Sequence, residues 1–114
     1  MSSAVVLFNL GGPDSIEAIG PFLNNLFCDP DIFNLPFGQK LFAKLISSRR
    51  VPKVAEEYKL IGGRSPINEW TEKQRSMLEV SLRNNNESVD VYTAMRYWNP
   101  LTKEVAANVE IKNY

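Results

Sequence analysis

The stretch from Ala4 to Leu10 reads AVVLFNL and runs straight into Gly11-Gly12-Pro13. A short apolar run with β-branched residues, ended by turn formers, has the pattern of a strand covered on both faces. Val89 to Met95, VDVYTAM, is a second candidate strand. Only helical patterns lie between them, so the two should run parallel with a helical crossover. This predicts an α/β fold. It also predicts an incomplete sheet, because two strands buried on both faces leave two unpaired edges. The chain stops at Ile111-Lys112-Asn113-Tyr114, in or just after a helix, where an alternating α/β protein would add a strand.

The intervening pattern predicts several helices. Asp14 or Ser15 can cap one carrying Ile16, Ile19, Leu23, Leu26 and Phe27 at helical spacing, with Gly20-Pro21 kinking or restarting it. Asp29-Pro30-Asp31 breaks it. A second helix is expected from near Phe37 to Ser48, with Leu41 and Leu45 on one face. Arg49-Arg50-Val51-Pro52-Lys53 reads as a basic joint. A third helix carries Val54, Tyr58 and Ile61 and ends at Gly62-Gly63. Ser65-Pro66 opens the longest helix, which ends in Asn84-Asn85-Asn86. Asn99-Pro100 opens the last. The expectation is two strands and five helices, with Leu41, Leu45, Met77, Leu78, Leu82 and Leu101 in the core.

Hydrophobic residues make up 44% of the 114, which is ordinary for a folded domain. Lys+Arg and Asp+Glu are both 13, so no net charge draws the chain to nucleic acid. No apolar run approaches the roughly 20 residues of a membrane span. The start carries no basic leader, which points to a bacterial-type cytoplasm. The single cysteine, Cys28, allows no internal disulfide and no cysteine-built metal site, and its apolar context suits packing. The chain has no histidine. It therefore lacks the commonest metal ligand and near-neutral general base.

Four features can carry chemistry, and each has a structural alternative. Gly11-Gly12 at a strand end lets the backbone approach a ligand, or simply makes a tight turn. Arg49, Arg50 and Lys53 can hold a carboxylate in bidentate fashion, or cover a solvated helix end. The apolar stretch from Phe22 to Leu35 is partly core, while Ile32 to Leu35, beside a helix break, can be an exposed ligand or membrane contact. Tyr58, Trp70, Tyr97 and Trp98 can stack on a flat ligand or pack inside.

Several strings, in order, carry a resemblance to one family. They are Leu7 to Pro13, Phe22-Leu23 through Leu26-Phe27, Leu35-Pro36, Arg49 to Lys53, Tyr58 through Gly62-Gly63-Arg64-Ser65-Pro66-Ile67, Thr71 with Gln74, and Ala94-Met95-Arg96-Tyr97-Trp98-Asn99-Pro100. Together they resemble the amino-terminal portion of the ferrochelatases, over essentially the whole chain after Ser3.

The resemblance implies a chelatase-like, Rossmann-like parallel sheet belonging to a larger two-domain enzyme. That enzyme is a lyase inserting ferrous iron, its substrate, into protoporphyrin IX during haem biosynthesis. It implies porphyrin contacts at Asn9, Leu10, Gly11, Gly12 and Pro13. An apolar lip comprises Leu23, Leu26, Phe27, Ile32 and Phe33, with a peripheral membrane contact among its expectations. Arg49, Arg50 and Lys53 match basic residues near the propionates, and Tyr58, Ser65, Arg96 and Tyr97 match polar pocket residues. The family's histidine and its acidic partner lie beyond residue 114, so no catalytic residue, metal ligand or cofactor is expected within the segment, and the segment alone is expected to be inactive. Self-association through unpaired strand edges is a further expectation. Two other readings stay open: a short porphyrin-binding paralogue without catalysis, and a small phosphate- or nucleotide-binding α/β module.

Overall fold

The first apolar run forms β1 (Ser3–Asn9), and Val89–Met95 forms β2, in a computed structural model that describes residues 2–114. The strands pair in parallel, with Ser3 opposite Val89 and Asn9 opposite Met95. Helices α1 (Ile19–Phe27), α2 (Gln39–Lys59) and α3 (Ile67–Asn84) lie between them in sequence, and α4 (Thr102–Lys112) follows β2. The architecture is α/β with a two-stranded parallel sheet. The described residues form four helices, not five.

The missing break is at Arg49 to Lys53, which continues α2 through Pro52. Proline removes the amide that would bond the carbonyl four residues back. That carbonyl belongs to Ser48, and both Ser48 and Pro52 are exposed, so water can serve in place of the lost amide. Helix α1 also starts later than its cap signal. The Ser15 hydroxyl accepts the Ala18 N–H at 3.2 Å, but this closes a turn ahead of the helix. Pro21 then falls in the first turn of α1, where its missing N–H has no intrahelical role.

The chain divides into two compact units. Unit 2 comprises Gly12–Ser65. Its core sets Ile19, Leu23 and Phe27 of α1 against Ala43, Ser47 and Ala55 of α2. Burying each of the three large side chains contributes about 1.5–3 kcal/mol. Leu41 and Leu45, expected in the core, are instead 64% and 60% exposed. The reason is that α2 turns its small residues toward α1, which allows a close approach, and its leucines lie on another face. Cys28 is half-buried and packs against this core.

Unit 1 comprises Met1–Gly11 and Pro66–Tyr114. Helices α3 and α4 both pack on β2. Val91, Ala94 and Met95 of β2 are buried, as is Val105 of α4. Leu78, Leu82 and Leu101 are half-buried, but Met77 is exposed, also contrary to expectation. Only part of α3 faces the strand, and Met77 falls outside that face.

One end of unit 1 is tied by charge. The Asp90 carboxylate accepts hydrogen bonds from the Tyr114 hydroxyl and from Arg83 Nη2. The Tyr114 bond, then that of Arg83, holds this carboxyl below its usual value. A folded value below the unfolded one adds stability above the ordinary carboxylate range and loses it as pH falls through the lowered value. Acid titration of unit 1 should therefore show a low-pH loss that shrinks in Asp90→Asn. The readout is tryptophan fluorescence, and an unchanged acid limb would remove Asp90 from this account.

Candidate functional site

The parallel strands of unit 1 end side by side at Asn9 and Met95. In open parallel sheets, ligands bind outside the carboxyl ends of the strands. Pairing continues past the strand ends, as Arg96 N–H donates to the Asn9 carbonyl and Tyr97 N–H to the Leu10 carbonyl, both at 3.0 Å. The Asn9 side chain uses both ends of its amide. Its Oδ1 accepts the Leu10 N–H at 2.8 Å, and its Nδ2 donates to Thr71 Oγ1 at 3.1 Å. Thr71 is buried and donates in turn to the Ile67 carbonyl at 2.7 Å.

This bracing leaves the Leu10 side chain exposed beside Phe8 and Arg96. Gly11 follows at φ +81°, where a Cβ would meet Met95 Cβ at 3.1 Å. Only glycine fits that conformation and that spacing. A groove of about 420 Å3 is lined by Phe8, Asn9, Leu10, Arg96 and Thr102. Apolar walls with one guanidinium and one amide suit a flat apolar ligand that carries carboxylates. Tyr97 is buried, with the Arg96 guanidinium 5.3 Å from its ring centre. It supports Arg96 and is not itself a wall of the groove.

The sequence signals for this chain converge on one family when it is compared with known proteins. The family model described as Ferrochelatase matches residues 2–114. The chain belongs to the ferrochelatase family. It is 50% identical over 108 residues to a ferrochelatase of Synechococcus elongatus, covering 93% of this chain and 28% of that protein. It is 48% identical over 109 residues to a ferrochelatase of Aquifex aeolicus, covering 96% of this chain and 34% of that one. It is also 46% identical over 110 residues to the chloroplastic ferrochelatase-2 of Hordeum vulgare, covering 93% and 23%. The chain thus spans about a quarter to a third of the length of these ferrochelatases.

The ferrochelatase lip residues fall in unit 2, where they take two positions. Leu23 and Phe27 point into the helical core, and Leu26 is half-buried. Ile32 and Phe33 are exposed. Phe33 sits between two other rings, with centroids 5.4 Å from Phe27 and 5.5 Å from Phe42. One amide holds the loop that carries them. Gln39 Nε2 donates to the Phe27 and Phe33 carbonyls, and Gln39 Oε1 accepts the Leu35 N–H. The exposed apolar row continues along α2 through Leu41 and Leu45.

Arg49, Arg50 and Lys53 are exposed on α2. Arg49 lines a groove of about 290 Å3 with Phe42, Leu45 and Ile46. The Arg50 guanidinium lies 6.0 Å from the Phe27 ring centre. Tyr58 is half-buried against the core, and Ser65 N–H donates to the Pro13 carbonyl at 2.8 Å. Gly12 and Pro13 are buried. Of the residues matched to the ferrochelatase pocket, Gly11, Gly12, Pro13, Leu23, Phe27 and Tyr97 shape their units from inside. Leu10, Ile32, Phe33, Arg49, Arg50, Lys53 and Arg96 reach solvent.

The glycine turn does not sit at a helix N-terminus, since α1 begins at Ile19. That removes the geometry on which phosphate binding by Gly11-Gly12 would rely. Phe8 and Thr102 line the groove of unit 1 without having been singled out in the sequence. Strand alternation carries a signal for Phe8. Thr102 caps the Met95 carbonyl at 3.1 Å from the start of α4. Among the described residues no cluster of histidine, cysteine, aspartate or glutamate could hold a metal ion, and no helix is long and apolar enough to cross a membrane.

Proposed function

We propose that this chain supplies porphyrin-contacting surfaces of a ferrochelatase, the lyase that inserts ferrous iron into protoporphyrin IX. The observation that carries this reading is the braced Asn9-Leu10-Gly11 turn at the strand ends, with its groove of about 420 Å3 beside Arg96. In unit 1, Leu10 and Phe8 offer apolar contact to the macrocycle, and Arg96 offers a cation to a propionate. In unit 2, Ile32 and Phe33 form the exposed lip, and Arg49, Arg50 and Lys53 form the basic patch. A peripheral contact with a lipid surface through Ile32, Phe33, Leu41 and Leu45 belongs to the same proposal.

Metal insertion must remove two pyrrole protons, and a base poised near the working pH does this best. The chain contains no histidine. The 114 residues by themselves are therefore proposed to bind porphyrin and not to metallate it. Protoporphyrin fluorescence, titrated with the purified protein with and without zinc, tests both halves. A saturable change is expected, with no shift to zinc-porphyrin emission. Leu10→Glu should weaken binding by about tenfold, since a buried apolar contact is worth of order 1.4 kcal/mol or more. No saturable change would overturn the binding assignment, and zinc-porphyrin emission would overturn the argument from the missing base.

A further inference from the structure

The two edges of the sheet are finished differently. Ser3 N–H donates to the Ser88 carbonyl and Asn9 C=O accepts from Arg96 N–H. By strand alternation, the odd-numbered residues of β1 face β2, and the main-chain groups of Ala4, Val6 and Phe8 face outward. On β2, the same register turns Val89, Val91, Thr93 and Met95 outward.

The outward edge of β2 is closed by its own chain at all of these but Thr93. Glu79 accepts the Val91 N–H at 2.8 Å, and Arg75 donates to the Val91 carbonyl at 3.0 Å. Arg83 Nε donates to the Val89 carbonyl at 3.1 Å. Met95 N–H donates to the Pro100 carbonyl at 2.8 Å, and its carbonyl accepts the Thr102 hydroxyl. Among the described residues, no strand pairs with the outward edge of β1.

That edge also lacks the usual protection. Natural edge strands carry lysine, proline or a bulge against unwanted pairing. Residues 2–12 contain no ionisable side chain and no proline. Phe8 is 72% exposed. Beside it runs an apolar groove of about 320 Å3 that includes Val6, Phe8, Ala94, Val105 and Val109.

We infer that β1 is a docking edge for the β1 strand of a second copy of this chain. The two strands pair antiparallel about a two-fold axis, so the same patch serves both partners. Both faces of the contact are uncharged, so nothing repels. Each copy offers one open edge and one closed edge, so assembly stops at two copies and does not run on into a fibre. The inference does not depend on porphyrin binding.

Sedimentation velocity of the 114-residue chain across a wide concentration range tests it, alongside amide hydrogen exchange. A discrete monomer–dimer equilibrium is expected. The amides of Ala4, Val6 and Phe8 should exchange about tenfold more slowly or better as the dimer fills. Phe8→Lys places a charge on the edge, and Val6→Pro removes an outward N–H while sparing the ladder to β2. Both should be monomeric with unchanged far-ultraviolet circular dichroism. Three results would overturn the inference: a monomer at every concentration, an open-ended polymer, or a dimer in which those three amides exchange freely. A strand from elsewhere lying on this edge would show as a monomer with those amides protected.

Discussion

Gly11→Ala should lower the stability of unit 1 by about 2–4 kcal/mol. Two costs add. A side chain at φ +81° costs roughly 1–2 kcal/mol. A methyl placed 3.1 Å from Met95 Cβ and 3.5 Å from Trp98 Cβ costs about 1–3 kcal/mol more, because β2 and the segment after it cannot retreat without breaking their pairing. Both tryptophans, Trp70 and Trp98, lie in unit 1, so indole fluorescence during urea unfolding reads this unit. Gly38→Ala is the control. It also has positive φ, at +75°, but nothing lies within 4 Å of its added Cβ, so it should cost only about 1–2 kcal/mol. Equal losses at the two sites would show that the close approach at Gly11 contributes nothing.

The second large effect belongs to unit 2. Ile19 is fully buried in the core between α1 and α2. Ile19→Ala should destabilise that unit by about 2–5 kcal/mol, from lost transfer energy and the cavity left behind. Leu41→Ala, on an exposed position of α2, should stay within about 0.5 kcal/mol. Amide exchange in α1 and α2 is the readout. A large Leu41 effect would mean that the exposed row is covered in solution, and a small Ile19 effect would mean that the core repacks freely.

The contrast between Ile19 and Leu41 also shows where sequence reading succeeds. Val89–Met95 is recognised to the residue, because an apolar β-branched run lies between the asparagine cluster and a basic residue. Strand β1 is displaced by one residue only. The parallel pairing follows from the same runs. Helix spacing identifies α1, whose large residues all point one way. It fails on α2, where the inward face is made of Ala43, Ser47 and Ala55. Small residues carry little hydrophobic signal, so the larger Leu41 and Leu45 draw the assignment to the wrong face.

Pro52 misleads in a similar way. Proline inside a pattern normally marks a break, but one lost hydrogen bond on the solvent side does not end a helix held by its opposite face. The site is legible in part. Asn9, Leu10 and Gly11 stand out from a strand running into glycines, and the structure adds the reason that the turn is rigid. The Thr71 anchor lies far away in sequence, and nothing local to Asn9 signals it. The buried positions of Leu23, Phe27 and Tyr97 depend on tertiary packing that a motif does not record.

The row of side chains that closes β2 has a consequence for how α3 finds its place. Arg75, Glu79 and Arg83 are spaced by four, and they present a donor, an acceptor and a donor to the strand. The strand answers with a carbonyl, an amide and a carbonyl. Sliding α3 by one turn would set a guanidinium against the Val91 N–H and a carboxylate against a carbonyl oxygen, like facing like at both points. The helix and strand therefore mesh as key and lock along their length, and misalignment is penalised by polarity. Hydrophobic contact, which tolerates sliding, could not make that distinction.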